Sequence, residues 1–151
     1  MTVTVKRFTV PSAMPTSAQS FAVLSGDTEI SLVFYRPNSG EIVQVAGCGP
    51  AELAFFQLPG CARLQAKADP KSDYVDLSGP APVVRARPEI EHLGALPIPA
   101  TVTIACRTTG ATSTYTVEDG SFEYDDLPGV YDVHVSAWPY HDAHFVLEIT
   151  P

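Results

Sequence analysis

Prolines and glycines interrupt the chain so often that they leave little room for long helices. The 151 residues include 14 prolines and 10 glycines, and these residues stop helices or open turns. Between them lie short stretches in which apolar and polar residues alternate, which is the period of a half-buried strand. The sequence therefore predicts an all-β protein, and its 45% of hydrophobic residues is enough to bury a core.

The strand signal is clearest after residue 99, where turns recur about every ten residues. An Asp-Gly pair, Asp119–Gly120, predicts a hairpin turn, and the longest alternating stretch covers residues 130–138. Regular short strands of this kind are typical of a β-sandwich. The predicted strands cover residues 101–107, 112–117, 121–124, 130–138 and 144–150.

The front of the chain predicts a small β-meander with one short helix. Residues 36–40 read Arg-Pro-Asn-Ser-Gly, a turn in which Gly40 supplies a positive φ, so residues 29–35 and 41–46 form a hairpin. Residues 51–58 carry helix formers after Pro50 and before Pro59–Gly60, which predicts two helical turns. Further strands are predicted at residues 21–24, 62–66 and 74–77.

Composition divides the chain into four segments. Residues 1–20 form an extended N-terminal arm, 21–78 the meander with its helix, 79–99 a proline-rich and semi-rigid linker, and 100–151 the sandwich. Terminal arms of this kind often order only against a neighbour. We therefore take the apolar residues of the arm, Val3, Val5 and Phe8, as candidate interface residues.

Charge excludes some partners and is unevenly distributed. The chain carries a net charge of −8, and from residue 95 onward eight acidic residues face a single basic one, Arg107. An acidic module repels phosphate backbones, so no nucleic-acid partner is expected. No apolar run approaches the roughly 20 residues of a membrane helix, so no membrane insertion is expected either. A basic partner surface or a bound cation stays open, beside the simpler interpretation of a solvated face.

The three cysteines, Cys48, Cys61 and Cys106, are an odd number and a poor basis for a disulfide framework. We expect buried, reduced thiols. A Cys48–Cys61 pair under oxidising conditions is the alternative.

No arrangement of residues predicts catalysis, a metal site or a cofactor. His141, Asp142 and His144 lack the spacing of a zinc site. The acids of two neighbouring turns (Glu118, Asp119, Asp125 and Asp126) could bind Ca²⁺, but carboxylates also cap and solvate turns. Cys48 between two glycines is more simply a small residue at a bend than a nucleophile. We expect no enzyme activity.

Trp138, Tyr140 and His141 stand together at a corner fixed by Pro139. Three interpretations remain open: the aromatic rings cover the end of the sandwich, they form a protein interface, or they form a stacking platform for sugars. These three residues complete the set of candidate interface residues.

Several stretches resemble small accessory proteins of tailed bacteriophages, which are encoded near tail-fibre and baseplate genes. The resemblance lies in residues 33–43, 60–64 and 68–77, and in Asp126–Tyr131, Ala137–Tyr140 and residues 145–149. The Pro-Gly-x-Tyr turn at residues 128–131 is also similar to that of transthyretin-like and Ig-like modules.

That resemblance implies a structural component of a tail tip, baseplate or fibre, assembled in the host cytoplasm and located in the virion. Its partners would be other virion tail proteins, and it would be oligomeric within the assembly. Alternatives are a module that binds a host receptor or surface glycan, and a tail-fibre assembly chaperone. The resemblance supplies no catalytic residues.

Overall fold

The computed structural model describes the backbone of residues 2–7 and residues 29–151. It contains ten strands and, within those residues, no helix, so the predicted all-β class is confirmed. The predicted strand at residues 21–24 lies outside the described residues. The strands are β1 (Thr2–Arg7), β2 (Ile30–Tyr35), β3 (Ile42–Cys48), β4 (Ala62–Gln65), β5 (Asp73–Asp76), β6 (Val83–Ala86), β7 (Ala100–Cys106), β8 (Thr112–Val117), β9 (Gly129–Ser136) and β10 (Ala143–Thr150).

The chain divides into two compact units. The terminal unit combines Met1–Met14 with Pro88–Pro151, and the inserted unit is Pro15–Arg87. In the inserted unit, β2 is the central strand of an antiparallel sheet with the order β3-β2-β4, and β5 pairs with β6 in a separate hairpin.

Apolar side chains cover both faces of β2, which explains its nearly continuous apolar sequence. Val33 and Tyr35 pack with Val75 of β5 on one face, and Leu32 and Phe34 pack on the other face with Cys48 and the segment around Phe56. All four β2 residues are buried. The three-stranded sheet is therefore the middle layer of this unit.

The turn between β2 and β3 is formed as predicted. The amide of Gly40 donates to the carbonyl of Arg36 at 2.8 Å, and Gly40 has a φ of 74°. Arg36 also forms an ion pair with Glu41 at 2.8 Å on the outside of the turn.

The predicted helix at residues 51–58 is wrong, because this segment forms consecutive turns. The amide of Glu52 donates to Gly49 and that of Phe55 to Glu52, which are three-residue spacings. The carbonyls of Leu53 and Phe56 accept from the guanidinium of Arg63, at 2.5 and 2.9 Å. A side chain of β4 thus donates to carbonyls that would accept hydrogen bonds from backbone amides in a helix.

The terminal unit has one antiparallel sheet of five strands in the order β1-β10-β9-β7-β8. Burial alternates along β9, where Tyr131, Val133 and Val135 are buried. Val102 and Phe145 lie on the same face by register and are also buried. One face of the sheet therefore carries the core of this unit.

Irregular segments cover that core face. Residues 79–99, predicted as a linker, include β6, and three side chains from them are buried in the core: Ile90, Leu93 and Leu96. Residues 121–124, predicted as a strand, have no strand structure, yet Phe122 and Tyr124 pack against the core.

The strand β1 is an outer strand of the terminal sheet. It pairs antiparallel with β10, from Thr2 opposite Thr150 to Arg7 opposite Phe145. The segment predicted as an arm for a neighbouring protein thus has a backbone partner within its own chain.

Candidate functional site

The other outer strand of the terminal sheet, β8, has a strand partner on one side. It pairs with β7 through six residue pairs, and no further strand lies beside it in the part of the chain that the structure describes. Every residue of β8 except Val117 is exposed. In an antiparallel pair, alternate residues direct their N–H and C=O groups away from the partner, so β8 presents a row of backbone donors and acceptors.

The hairpin turn between β7 and β8 fixes the register of this edge. The amide of Gly110 donates to the carbonyl of Cys106 at 2.8 Å, and the amide of Cys106 donates to Ala111 at 2.9 Å. Gly110 has a φ of 71°, a left-handed conformation that glycine adopts without strain. Across the hairpin, the hydroxyls of Thr103 and Thr114 lie 3.3 Å apart.

An aromatic cluster connects the core to this edge. Tyr115 is opposite the buried Val102 and is 40% exposed. Its ring centre lies 5.7 Å from that of Phe122 and 6.4 Å from that of Tyr124, and Tyr124 lies 5.4 Å from Tyr131. Such tilted and edge-on pairs are favourable aromatic arrangements. The cluster therefore offers an anchored apolar surface beside the exposed backbone.

The tyrosine hydroxyls of the cluster are held by nearby acceptors. The hydroxyl of Tyr124 donates to a carboxylate oxygen of Asp126 at 2.6 Å, and that of Tyr131 donates to the carbonyl of Leu127 at 2.7 Å. The hydrogen bond to Asp126 raises the pKa of Tyr124 well above its ordinary value. The same bond, with help from the amide of Leu127, lowers the pKa of Asp126, so this carboxylate stays charged.

A run of acidic side chains follows β8 in the sequence. Five of them follow it directly and all are exposed, whereas the nearest basic residue before β8 is Arg107. The guanidinium of Arg107 binds both carboxylate oxygens of Asp132, at 2.8 and 2.6 Å. The five acids are Glu118, Asp119, Glu123, Asp125 and Asp126.

An open groove of about 590 Å³ lies beyond the end of β8, next to Asp119. Glu89, Glu91, Asp119 and Tyr140 are among the residues that line it. Its shape is fixed in part by the amide of Leu96, which donates to the carbonyl of Gly120 at 2.8 Å. The groove thus begins two residues beyond the end of β8, and we name β8 together with this groove the acidic edge.

The structure places three of the candidate interface residues on the connection between β9 and β10. Trp138 is 43% exposed, and Tyr140 is partly buried against the core while it also lines the groove. The backbone amide of His141 donates to the carbonyl of Pro88 at 2.8 Å. Tyr140 is therefore the candidate that the fold brings to the acidic edge.

The other three candidates belong to the N-terminal arm. Val3 and Val5 are in β1, at register positions opposite Ile149 and Leu147, on the edge of the sheet opposite to β8. Phe8 lies outside the described residues.

Sequence reasoning missed the aromatic cluster and β8 itself as a site. Residues 112–117 read Thr-Ser-Thr-Tyr-Thr-Val, and this polar strand gives no sign of which neighbours it has. The absence of charge and proline in the strand gave no signal of an outer position either, because outer strands usually carry such residues.

The thiols are free, as expected, and Cys48 is buried, but Cys61 and Cys106 are only half-buried. Hydrogen bonds from Thr109 and the backbone lower the pKa of Cys106. Among the described residues, no group of three or more His, Cys, Asp or Glu side chains could hold a metal ion.

Within the described ranges, no helix is long and apolar enough to span a membrane. Comparison with known proteins gives no match to any family model, curated protein or solved structure.

Proposed function

We propose that this protein is a structural component that forms lasting contacts with other proteins by strand addition. The observation that supports this most directly is the exposed outer strand β8, with its neighbouring aromatic cluster. An extended segment that pairs with such an edge gains main-chain hydrogen bonds, and side-chain contacts give the pairing its specificity. No catalytic role is part of this proposal.

The particular setting that we propose is the tail of a bacteriophage. The protein would belong to a tail tip, baseplate or fibre, bind other virion tail proteins, and be oligomeric within that assembly. The support for this setting is the resemblance of the strand-and-turn patterns at residues 33–43, 60–64 and 68–77 to those of phage tail accessory proteins. An Ig-like or transthyretin-like sandwich fold of the terminal unit belongs to the same proposal, and its support is the Pro-Gly-x-Tyr turn at residues 128–131.

Mass spectrometry of purified virions tests the proposal. We expect the chain in mature particles at a fixed ratio to a tail protein, and at a defined position in a tail reconstruction. A particle that lacks the chain and is nevertheless intact and fully infectious would contradict a structural role. Detection in infected cells but not in particles would instead identify an assembly chaperone.

The exposure of Trp138 favours a second candidate, a module that binds a host receptor or glycan. Trp138 is 43% exposed, and an accessible indole ring offers stacking area to a sugar. A glycan array should then show binding by the native chain and its loss in Trp138→Ala. Absence of binding by both forms removes this candidate.

A further inference from the structure

We propose that the acidic edge accepts an extended, positively charged segment of a partner protein, which pairs with β8 and places a Lys or Arg in the groove. This inference rests on the proposed function and specifies the chemistry of the partner.

The first argument is that β8 lacks the usual protection of an outer strand. Natural sheets protect their edges with lysine, proline or bulges, and Thr112–Val117 contains no charged residue and no proline. Its pairing with β7 is regular over six consecutive residues. The strand at the opposite edge, β1, carries Lys6 and Arg7 in its sequence.

The second argument is charge. The acids that follow β8 and the groove carboxylates give this region a negative field, and Arg107, the only Lys or Arg after residue 94, is bound to Asp132. Complementary charge increases the rate of association and disfavours wrong partners. A second copy of the chain would bring the same acids to the same edge, so like-charge repulsion opposes self-pairing through β8.

The third argument is the arrangement of side chains along the edge. Ser113, Tyr115 and Val117 share the core-facing side of β8, because they lie opposite Ile104, Val102 and Ala100. An added strand would place alternate residues beside them, about 5 Å away. We infer an apolar residue beside Tyr115, where Phe122 and Tyr124 extend the contact.

The position of the groove predicts where the partner segment carries its Lys or Arg. Asp119 lies two residues beyond the last residue of β8, and Glu89, Glu91 and Tyr140 line the groove with it. We infer that a segment that continues past Val117 passes Asp119 and enters the groove that Glu89, Glu91 and Tyr140 also line. A Lys or Arg at that point has ion-pair partners and an aromatic ring beside its aliphatic stem.

The test is a selection of random peptides of about twelve residues, roughly twice the length of β8, on the full-length chain. We expect enriched peptides with net positive charge, alternating β-branched or aromatic residues, and no central proline. Their affinity should fall at least about tenfold in Thr114→Lys, which places a positive charge on the exposed strand.

Charge-neutralising variants separate the groove from the general acidity of the chain. Glu91→Gln combined with Asp119→Asn should weaken binding severalfold and reduce its dependence on salt. Glu148→Gln is the matched control, because Glu148 is an exposed acid on β10 and not on the acidic edge. It should leave the affinity unchanged.

Amide hydrogen exchange shows whether the peptide adds a strand. Binding should slow exchange in residues 112–117 and leave β10 unaffected. Enrichment of acidic peptides, equal binding to native chain and Thr114→Lys, or no added protection in β8 would each overturn the inference. Self-association of the chain that the peptides displace would show that the partner is a second copy.

Failure of this inference differs from failure of the proposed function. Particles that are intact without the chain would refute the structural role while peptide binding persisted. A chain present in particles but indifferent to basic peptides would refute only the partner chemistry.

Discussion

The backbone of Gly40 lies directly against that of Val75. The amide of Val75 donates to the carbonyl of Gly40 at 2.8 Å, and a Cβ built on Gly40 would overlap the carbonyl oxygen of Val75. The β2–β3 turn is thereby joined to β5, and the joint leaves no space for a side chain.

Substitution of this glycine should destabilise the inserted unit strongly. Gly60 is the matched control, since its φ of 75° is similar and no atom lies within 4 Å of a built Cβ. We expect Gly60→Ala to lower the free energy of unfolding by about 1–2 kcal/mol, the cost of left-handed backbone. Gly40→Ala should lower the free energy of unfolding by clearly more than this, as measured by urea denaturation. Equal costs would show that the contact with Val75 is unimportant.

Two adjacent phenylalanines test the packing of the turn segment. Phe56 packs on the cluster of Leu32, Phe34 and Cys48, whereas Phe55 is 85% exposed. Phe56→Ala should lower the free energy of unfolding by about 2 kcal/mol, less than a fully buried Phe would cost. Phe55→Ala should change it by no more than about 0.5 kcal/mol. The reverse order in thermal denaturation would contradict the arrangement described here.

The ion pair between Arg107 and Asp132 predicts a pH dependence. The hydrogen bond from Arg107 lowers the pKa of Asp132 below its ordinary 3.8, so folding favours the charged form. An acid whose pKa is lower in the folded state stabilises the fold at pH values above its unfolded-state pKa. This stabilisation is lost as the pH falls through the folded-state pKa.

Asp132→Asn should therefore be less stable than the native chain at neutral pH, and the difference should shrink below about pH 4. Urea midpoints measured across this range check it. Asp142→Asn serves as a control, because Asp142 lies 3.9 Å from His134 and pairs with no guanidinium among the side chains that the structure describes. A difference between native and Asp132→Asn that is independent of pH would argue against the ion pair as its cause.

The hydrogen bond between Tyr124 and Asp126 predicts an alkaline signature. Because it raises the pKa of the phenol above 10.0, Tyr124 should stay neutral where ordinary tyrosines ionise. The bond therefore stabilises the fold at pH values below the unfolded-state pKa of the phenol. This stabilisation is lost as the pH rises through the folded-state pKa. In ultraviolet titration, Asp126→Asn should shift the Tyr124 phenol towards 10.0 and also lower the pKa of Tyr131, which burial and the Asp126 charge together raise, whereas Asp125→Asn should shift neither. Identical curves for all three forms would rule out the bond in solution.

Local signals predicted the turns and strands well. The Arg36–Gly40 turn followed from the residues themselves, because proline and glycine restrict the backbone there. The helix at residues 51–58 failed because so short a helix is marginal without tertiary support. The support present here, the Arg63 guanidinium, binds the carbonyls of turns.

Strand neighbours could not be predicted in the same way. Whether Thr112–Val117 is an inner or an outer strand depends on which distant segment lies beside it, and a polar strand fits an outer position without requiring it. Likewise, nothing local in Thr2–Arg7 indicates pairing with β10. Tyr140 was a candidate from its position at an aromatic corner, but its place in the same groove as Asp119 depends on the fold of residues 88–99.

The pairing of β1 with β10 has a consequence for biosynthesis. These strands are neighbours in the sheet, yet the whole inserted unit and three other strands lie between them in the chain. A ribosome completes β1 long before β10 exists, and contacts so distant in sequence form slowly. During translation β1 therefore has no strand to pair with. This side of the sheet can form only after β10 has been synthesised.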